Sequence, residues 1–459
     1  MFGLQSTLEI ARRALRAQQL TIGVLGNNIA NVETRGFSRR RVELSPGMDV
    51  MTGDGFLGTG VDVMGVTRVR DRALDGLYRE HTNASGRWGA MQETLARVES
   101  AFPANDDGGL GKSLTEFYGS WNDLANQPES RAARIAVREK GRALVDTFHR
   151  LDKHMDALLG DINDAIGEKT DRINDIAGRV AQINDIVVMA DSRGQEASSL
   201  LDERDLLLDE LSEITDVQVD EKPNGSVAVT LGSEVLVQGG TARQVEFVAD
   251  PSLNDGQHVL RWADTRREPA ISGGRLAGLL EARDTRVESY RKTLDELAAA
   301  LVTETNRLHT AGTGLDGSTG NAFFGADGVT GRDISLDAGI EREVSRIAAS
   351  SGGDRGDGRQ ALALAQLATA KLLHGGTETL SGAYRTLVGQ IGFEAGQATS
   401  FHDAQESILA TIDSQRAEIS GVSLDEEMTN MMSAQHAYQA MVKVTSTIDD
   451  MLNTLISQM

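Results

Sequence analysis

The 459-residue chain contains no cysteine. That absence excludes disulfide bonds, thiol catalysis and metal sites built from thiolates. Aromatic residues make up only 4% of the chain, although hydrophobic residues as a whole make up 40%. The sequence therefore predicts cores built mainly from aliphatic side chains and methionine, as in helical bundles.

Basic residues are too few to balance the acidic ones. The chain has 46 Lys and Arg against 68 Asp and Glu, which gives a net charge of −22 at pH 7. A chain this acidic repels nucleic acid and anionic membranes, so we predict neither as a partner. The short basic runs ARRALR and SRRR are local exceptions. We interpret them as solvated helix faces.

Long hydrophobic runs are also missing. No stretch approaches the roughly 18 consecutive apolar residues that a membrane-spanning helix needs. The first residues, MFGLQSTLEI, lack the basic start and continuous apolar segment of a cleavable signal peptide. If the protein is exported, we expect it to use a route other than the general secretory one.

The sequence motifs that would indicate catalysis are each incomplete or lie in the wrong context. GDGFLG at 53–58 matches the dinucleotide-binding pattern by letter, but the residues after it indicate a strand instead of the required helix. DDGGLGKS has Asp106 where a phosphate-binding loop needs glycine, and His149 and His154 lie on different faces of a helix. We interpret the acidic runs LDERD and LDEE as helix caps, not acid–base pairs. The sequence thus predicts no enzyme, no cofactor and no metal site.

Both ends of the chain carry a heptad-like hydrophobic pattern. In the first segment the periodic positions are Leu4, Leu8, Ala11, Leu15, Ile22, Leu25 and Ile29. In the last segment they are Met431, Ala434, Tyr438, Met441, Thr445, Ile448, Leu452 and Leu455. Alternating steps of three and four residues predict coiled-coil-like helices at the two ends. Two ordinary core helices would show the same periodicity.

The predicted fold is mainly α: a long helical bundle whose coiled-coil-like N- and C-terminal helices pack together, plus a small β element. Helical periodicity dominates the middle of the chain. Segments with a strand-like pattern are short and follow Gly-rich turns. The predicted domains are an inner terminal-helix domain at 1–45 and 422–459, a Gly-rich loop with short strands at 46–70, a helical-bundle body at 71–215, 271–310 and 356–421, a small β element at 216–270, and a loop with a possible hairpin at 311–355.

The two terminal segments carry opposite charge. Residues 1–45 contain seven Arg and three Glu, a net charge of +4, whereas residues 422–459 contain five acids and Lys443, a net charge of −4. Each exposed ion pair contributes only tenths of a kcal/mol, so charge can orient the segments but cannot hold them together.

The stretch NNIANVETRGFSRR, which follows the first helical pattern, resembles the signature of the bacterial flagellar axial proteins, the family of rod, hook and hook-associated proteins. The matching positions are Asn27, Asn28, Ile29, Ala30, Asn31, Thr34, Gly36 and Phe37; Arg35 stands where the family usually has proline. The C-terminal GVSLDEEMTNMMSAQHAYQAMVKVTSTIDDMLNTLI is similar to the matching tail of the family. WNDLANQPESRAAR from Trp121 and LLDERDLLLDELSEITDVQV from Leu200 look like the hook-associated members.

This resemblance implies a structural subunit of the flagellum that forms the hook–filament junction. The implied partners are hook protein, hook-associated protein 3, sister copies, and an export chaperone on the C-terminal helix. Subunits of the family pass unfolded through the flagellar type III channel, so the implied location is cytoplasmic before export and extracellular afterwards. Because the terminal signatures are shared, another axial protein, a hook or rod component, is the alternative.

We predict that the terminal helices assemble with sister copies. The Asn-rich stretch is expected to cap the first helix and turn the chain outward. The predicted assembly interface consists of Leu4, Leu8, Leu15, Ile22, Leu25, Asn28, Ile29, Asn31, Met431, Tyr438, Met441, Ile448, Leu452 and Leu455.

Overall fold

The computed structural model describes residues 2–52, 55–102, 109–250 and 258–457. Parts of the GDGFLG and DDGGLGKS stretches therefore lie outside the described residues. The α-helices are α1 (Phe2–Ala30), α2 (Arg72–Ala101), α3 (Leu110–Asn126), α4 (Arg131–Asp191), α5 (Ser198–Ile214), α6 (Gly274–Glu281), α7 (Glu288–Ala311), α8 (Ala338–Arg342), α9 (Arg359–Gln366), α10 (Leu380–Ser420) and α11 (Leu424–Ser457). A π-helical segment, Ala282–Val287, joins α6 to α7.

The strands are short and pair antiparallel. They are β1 (Arg40–Pro46), β2 (Val50–Thr52), β3 (Gly55–Leu57), β4 (Val61–Arg68), β5 (Val217–Glu221), β6 (Val227–Leu231), β7 (Glu234–Gln238), β8 (Thr241–Ala242), β9 (Val245–Ala249), β10 (His258–Trp262), β11 (Thr313–Gly314), β12 (Ala348–Ser350), β13 (Lys371–Leu373) and β14 (Glu378–Thr379). Strands β5 to β8 form a four-stranded meander, and the others form two-stranded ladders. The region 216–270 thus contains β5 to β10, and 311–355 contains the β11–β12 pair.

The mainly α fold predicted from the sequence is confirmed, since 64% of the described residues are helical. The helix α4 shows why the periodicity was informative. Its apolar side chains recur at spacings of three, four and seven residues, and these positions are buried. The buried residues on this stripe include Ile162, Ile166, Ile173, Ile176, Val180, Ile183 and Val187.

The chain divides into two compact units. The first comprises Met1–Ser85, Thr170–Gly274 and Ala404–Met459. It contains the paired terminal helices α1 and α11, the β1–β4 ladder, α5 and the four-stranded meander. In the β1–β4 ladder, Arg40 lies opposite Arg68, and a bulge interrupts the register between Glu43 and Leu44.

The second unit comprises Gly86–Lys169 and Arg275–Asp403. Although aromatic residues are scarce, several of them meet in its core, where the sequence predicted aliphatic packing. Phe117, Trp121 and Phe323 are fully buried. The ring centroids of Trp121 and Phe323 lie 5.2 Å apart, and those of Phe117 and Phe323 lie 5.6 Å apart. These edge and tilted contacts add about 0.5–1.5 kcal/mol per pair beyond the burial of area.

A buried histidine borders this aromatic cluster. The Nε2 atom of His309 accepts a hydrogen bond from the backbone N–H of Ala348 at 2.9 Å. Its Nδ1 atom lies 2.7 Å from the carbonyl oxygen of Asn321, which fixes the proton on Nδ1. Burial lowers the pKa of His309 to about 4, so the ring is neutral at pH 7.

Candidate assembly interface of the terminal helices

The terminal helices α1 and α11 pack against each other as an antiparallel pair. The Oε2 atom of Glu427 accepts a hydrogen bond from Nδ2 of Asn28 at 2.9 Å. Further along, Nε2 of Gln19 donates to the Tyr438 hydroxyl oxygen at 3.4 Å. Because the partner number rises on α11 as it falls on α1, the two helices run in opposite directions. The predicted heptad stripes therefore meet within a single chain.

The predicted interface residues differ in how well this pairing covers them. Leu25, Asn28 and Ile448 are buried. Leu455 stays 49% exposed. The remaining predicted residues are half-buried, and these are Leu4, Leu8, Leu15, Ile22, Ile29, Asn31, Met431, Tyr438, Met441 and Leu452. One partner helix thus covers only part of each apolar stripe.

Asn28 is the polar centre of the interface. In addition to its bond to Glu427, its Nδ2 atom donates to the carbonyl oxygen of Arg40 at 2.9 Å. Its Oδ1 atom accepts the backbone N–H of Arg40 at 3.0 Å. The side-chain amide thereby replaces a strand partner for Arg40 and fixes the start of β1 against the end of α1. Asn28 is fully buried, its contact with Glu427 is buried and its two contacts with Arg40 are part-buried, so the loss of its side chain is costly.

The rest of the Asn-rich stretch ends the helix by local bonds. Nδ2 of Asn31 donates to the carbonyl oxygen of Asn27 at 2.9 Å, and the Thr34 hydroxyl donates to Oδ1 of Asn31 at 3.2 Å. Gly36 then adopts a φ of +82°, and a Cβ there would lie 2.3 Å from a methyl carbon of Leu206. Only glycine meets both requirements at this turn.

Residues after the turn connect α1 to α10 and α11. The backbone N–H of Arg39 donates to the carbonyl oxygen of Ser420 at 2.9 Å. Its Nη1 atom lies 2.9 Å from Oε2 of Glu426. The run SRRR is therefore not a solvated helix face, as the sequence suggested. It lies at the start of β1, where Arg39 and Arg40 form long-range ion pairs.

The acidic run LDERD does not cap its helix, contrary to our expectation. Arg40 and Arg68 face each other across the β1–β4 ladder, and Asp202 lies within ion-pair distance of both, at 3.5 and 3.0 Å. Asp205 pairs with Arg68 at 2.8 Å and with Arg70 at 3.0 Å. Like charges opposite each other in a ladder repel, so the carboxylates of α5 are what make this register stable.

The electrostatics of Asp205 follow from this arrangement. Burial raises the pKa of its carboxyl group, but the guanidinium groups of Arg70 and Arg68 outweigh burial, and the net effect lowers the pKa. A buried ion pair of this kind is strongly destabilising to break, at about 3–5 kcal/mol, because one charge is left without a partner. The network fixes the β1–β4 ladder to α5.

The second acidic run, LDEE, occupies the first turn of α11, where carboxylates favour the helix dipole. Glu427 does more than this, since it is buried and accepts a hydrogen bond from Asn28, a pairing that no sequence pattern indicates. In the described part of the chain, no group of three or more acidic or histidine side chains is arranged to hold a metal ion. No helix among the described residues is long and apolar enough to span a membrane.

Comparisons with known proteins agree with this geometry. The family model described as the flagellar hook-associated protein FlgK helical domain matches residues 95–324. Flagellar hook-associated protein 1 of Bacillus subtilis (strain 168) is 30% identical to the chain over 98% of both sequences. The chain belongs to the family of flagellar hook-associated protein 1. As the sequence predicted, it is a structural protein of the hook–filament junction of the bacterial flagellum.

Two further matches cover the terminal segments. The basal body rod protein model matches residues 8–37, and the C-terminal model of the rod proteins matches residues 413–459. The segments that match the rod protein models thus contain most of α1 and all described residues of α11. The central helices match the model of the hook-associated family. A hook or rod component, the alternative left open by the sequence, would not explain the match at 95–324.

Other members are longer. Flagellar hook-associated protein 1 of Escherichia coli (strain K12) is 26% identical over 99% of this chain and 100% of its own length. That alignment extends over 546 residues, so the relative contains segments without a counterpart here. The solved structure of the flagellar hook junction protein FlgK from Burkholderia pseudomallei has a TM-score of 0.68 at 16% identity, and the match covers 75% of this chain and 100% of that chain. At that identity the likeness concerns the fold alone.

Proposed function

We propose that α1 and α11 join the chain to the flagellar axis by packing against the terminal helices of neighbouring subunits. The observation that carries this proposal is the incomplete burial of the two heptad stripes. Except for the buried Leu25 and Ile448, their leucine, isoleucine and methionine side chains remain partly exposed after the helices have paired with each other. Apolar side chains at such positions gain about 25 cal/mol per Å² when a neighbour covers them.

The partners follow from the family and from the place of the junction. We propose hook protein on one side, hook-associated protein 3 on the other, and sister copies within the layer. Before export, a cytoplasmic chaperone would cover α11, and export would run through the flagellar type III channel to the outside of the cell. We propose no catalytic role, because the site consists of apolar stripes and structural ion pairs.

Leu452→Asp tests the proposal. Leu452 is half-buried near the end of α11, so a carboxylate there disrupts the apolar stripe at little cost to the remaining fold. We expect the purified variant to lose binding to isolated hooks, measured as the fraction of hooks that carry the protein in electron micrographs. Its free energy of unfolding should fall by less than about 1 kcal/mol. Asn453→Asp adds the same charge at an exposed neighbouring position and should bind normally.

Two outcomes would contradict the proposal. Normal hook binding by Leu452→Asp would show that the stripe is not the joining surface. A large loss of stability would instead make α11 an ordinary core helix, the reading that periodicity alone left open.

A further inference from the structure

The helix α11 is rich in methionine. Five of the 13 methionines of the chain lie among its 34 residues. Three of them, Met428, Met432 and Met451, are 56, 54 and 51% exposed. The other two, Met431 and Met441, are half-buried. Since the chain has no cysteine, thioethers are its only sulfur groups, and they are concentrated in α11.

The α11 methionines belong to the surface by which α1 and α11 are proposed to join neighbouring subunits, here called the joining surface. Met428 and Met432 are four residues apart, so their side chains lie one turn apart on one face of the helix. Met431 is directed toward α1 instead, since a Cβ built at Gly26 would lie 3.9 Å from the Cε atom of Met431. Methionines thus contribute to the pairing of α1 with α11 and also to the surface that the pairing leaves exposed.

Methionines elsewhere in the chain differ in their access to solvent. Met91 and Met155, in the second unit, are only 2 and 0% exposed. Met64 and Met189, in the first unit, are exposed but lie on β4 and α4, outside the terminal helices. The chain therefore contains buried thioethers that serve as internal standards and exposed ones, away from the joining surface, that serve as matched controls.

An exposed thioether reacts with hydrogen peroxide by transfer of an oxygen atom. A lone pair of the sulfur attacks one peroxide oxygen, a sulfur–oxygen bond forms, and the oxygen–oxygen bond breaks. The proton of the transferred oxygen passes to the departing hydroxide, which leaves as water. The sulfur is oxidised by two electrons to the sulfoxide, and the peroxide is reduced. Because peroxide is uncharged, the net charge of −4 on residues 422–459 does not repel it.

We propose that the α11 methionines are oxidation sites at which peroxide inactivates the joining surface of the free subunit. This inference rests on the proposed function and adds a chemical control to it. Oxidation replaces a flexible, apolar side chain by a polar one. When a neighbouring apolar stripe covers the sulfoxide, its oxygen loses contact with water and gains no hydrogen-bond donor, which is unfavourable. An oxidised subunit therefore folds but does not join its neighbours.

Oxidation at these positions leaves the fold of the free subunit in place. The exposed Met428, Met432 and Met451 remain in contact with water, which solvates an added oxygen. Met91 and Met155 are protected, because an oxidant reaches a buried thioether only when the surrounding core opens. The loss of joining therefore comes without a general loss of structure.

Peptide mapping tests the reactivity of the sites. The purified full chain is treated with hydrogen peroxide for increasing times, quenched and digested, and the gain of one oxygen is followed by mass spectrometry at each methionine. We expect the three exposed α11 methionines to oxidise at least about tenfold faster than Met91 and Met155, and about as fast as Met189. Rates in α11 as slow as the rate at Met91 would overturn the inference.

Binding to isolated hooks tests the consequence of oxidation. Treatment of the full chain with peroxide should reduce the fraction of hooks that carry the protein by about tenfold. Methionine sulfoxide reductases should then restore binding, because they return the sulfoxide to the thioether. Normal binding by the oxidised chain, or no recovery after reduction, would overturn the inference.

Two variants identify the responsible positions. Leucine conserves the volume and apolar character of methionine. The α11 variant should bind equally well before and after treatment with peroxide, and it consists of Met428→Leu, Met431→Leu, Met432→Leu, Met441→Leu and Met451→Leu. The control variant should lose binding on treatment as the original chain does, and it consists of Met48→Leu, Met51→Leu, Met64→Leu and Met189→Leu.

The two levels of proposal fail differently. If the proposed function is wrong, the untreated original chain does not bind hooks, whatever peptide mapping shows. If only this inference is wrong, the untreated chain binds, and the α11 variant loses binding on oxidation or the control variant keeps it. A loss of the helical circular dichroism signal on oxidation would also overturn the inference, since the loss of binding would then be a general effect of unfolding.

Discussion

The terminal helix pair and the aromatic core of the second unit differ in how completely a single chain buries their apolar side chains. In the second unit, Phe117, Trp121 and Phe323 are fully buried within one chain. In the terminal pair, most stripe residues remain half-exposed, and Leu424, Met428 and Met432 on α11 are exposed. One region is complete in the single molecule, whereas we propose that the other gains its remaining burial from neighbouring subunits.

This contrast separates residues that stabilise the subunit from residues that join subunits. Truncating a fully buried side chain loses both transfer free energy and packing. Changing a half-exposed one costs the subunit little but, in the proposed assembly, removes a contact with a neighbour. Stability measurements and assembly measurements should therefore rank the same residues in opposite order.

The largest expected effect on stability is at Phe117. Phe117→Ala should lower the free energy of unfolding by about 4 kcal/mol, since it leaves a cavity among several rings. Urea denaturation followed by circular dichroism measures this. Phe393→Ala is the control, because that ring is 70% exposed, and it should change the free energy by less than about 0.5 kcal/mol. Equal losses for both would remove the distinction between complete and incomplete regions.

The second effect is the loss of stability in acid at His309. Its pKa is about 4 in the folded chain, below the ordinary value of 6.5. Between these values the unfolded chain binds a proton that the folded chain does not, so stability falls as pH falls from about 6.5 and levels off below about 4. The expected loss from this residue is about 3 kcal/mol.

Urea titrations at several pH values measure this linkage. The loss should be much smaller in His309→Gln, which can keep a neutral donor and acceptor. His374→Gln, which changes an exposed histidine, should retain the wild-type dependence of the free energy of unfolding on pH. An unchanged slope in His309→Gln would show that carboxylates alone govern the acid response.

The third and smallest effect concerns Asn28. Asn28→Ala leaves the buried Glu427 carboxylate and the backbone of Arg40 without their partner, at a cost of about 2 kcal/mol. Faster hydrogen exchange at the start of α11 and of β1 should accompany the loss. Asn27→Ala changes the exposed neighbour and should leave exchange unaltered. If Asn28→Ala changed neither the free energy of unfolding nor hydrogen exchange, the apolar stripes alone would hold the helix ends.

Periodicity was sufficient to predict the helices, because their apolar positions recur at the helical repeat regardless of what covers them. The family resemblance was sufficient for the function. The bond between Asn28 and Glu427 was not predictable, since it joins residues 399 positions apart. For the same reason the sequence pattern predicts helix caps at Asp202 and Asp205, whose arginine partners in fact come from distant parts of the chain. The aromatic cluster beside His309 was not predictable either, because tertiary packing brings its few rings together from distant parts of the chain.

The pairing of the first helix with the last one sets the order in which the molecule can be completed. A ribosome makes α1 before the other helices of this chain, and α11, which begins at Leu424, follows α1, which ends at Ala30, only after all of them. Until then the apolar stripe of α1 has no partner within its own chain, whatever the rest has already folded. Closing so long a loop is also slow, because the ends must meet by a search over the whole chain. The stripe of α1 that faces α11 therefore stays uncovered by that helix during most of synthesis, and a product truncated before α11 would lack this partner permanently.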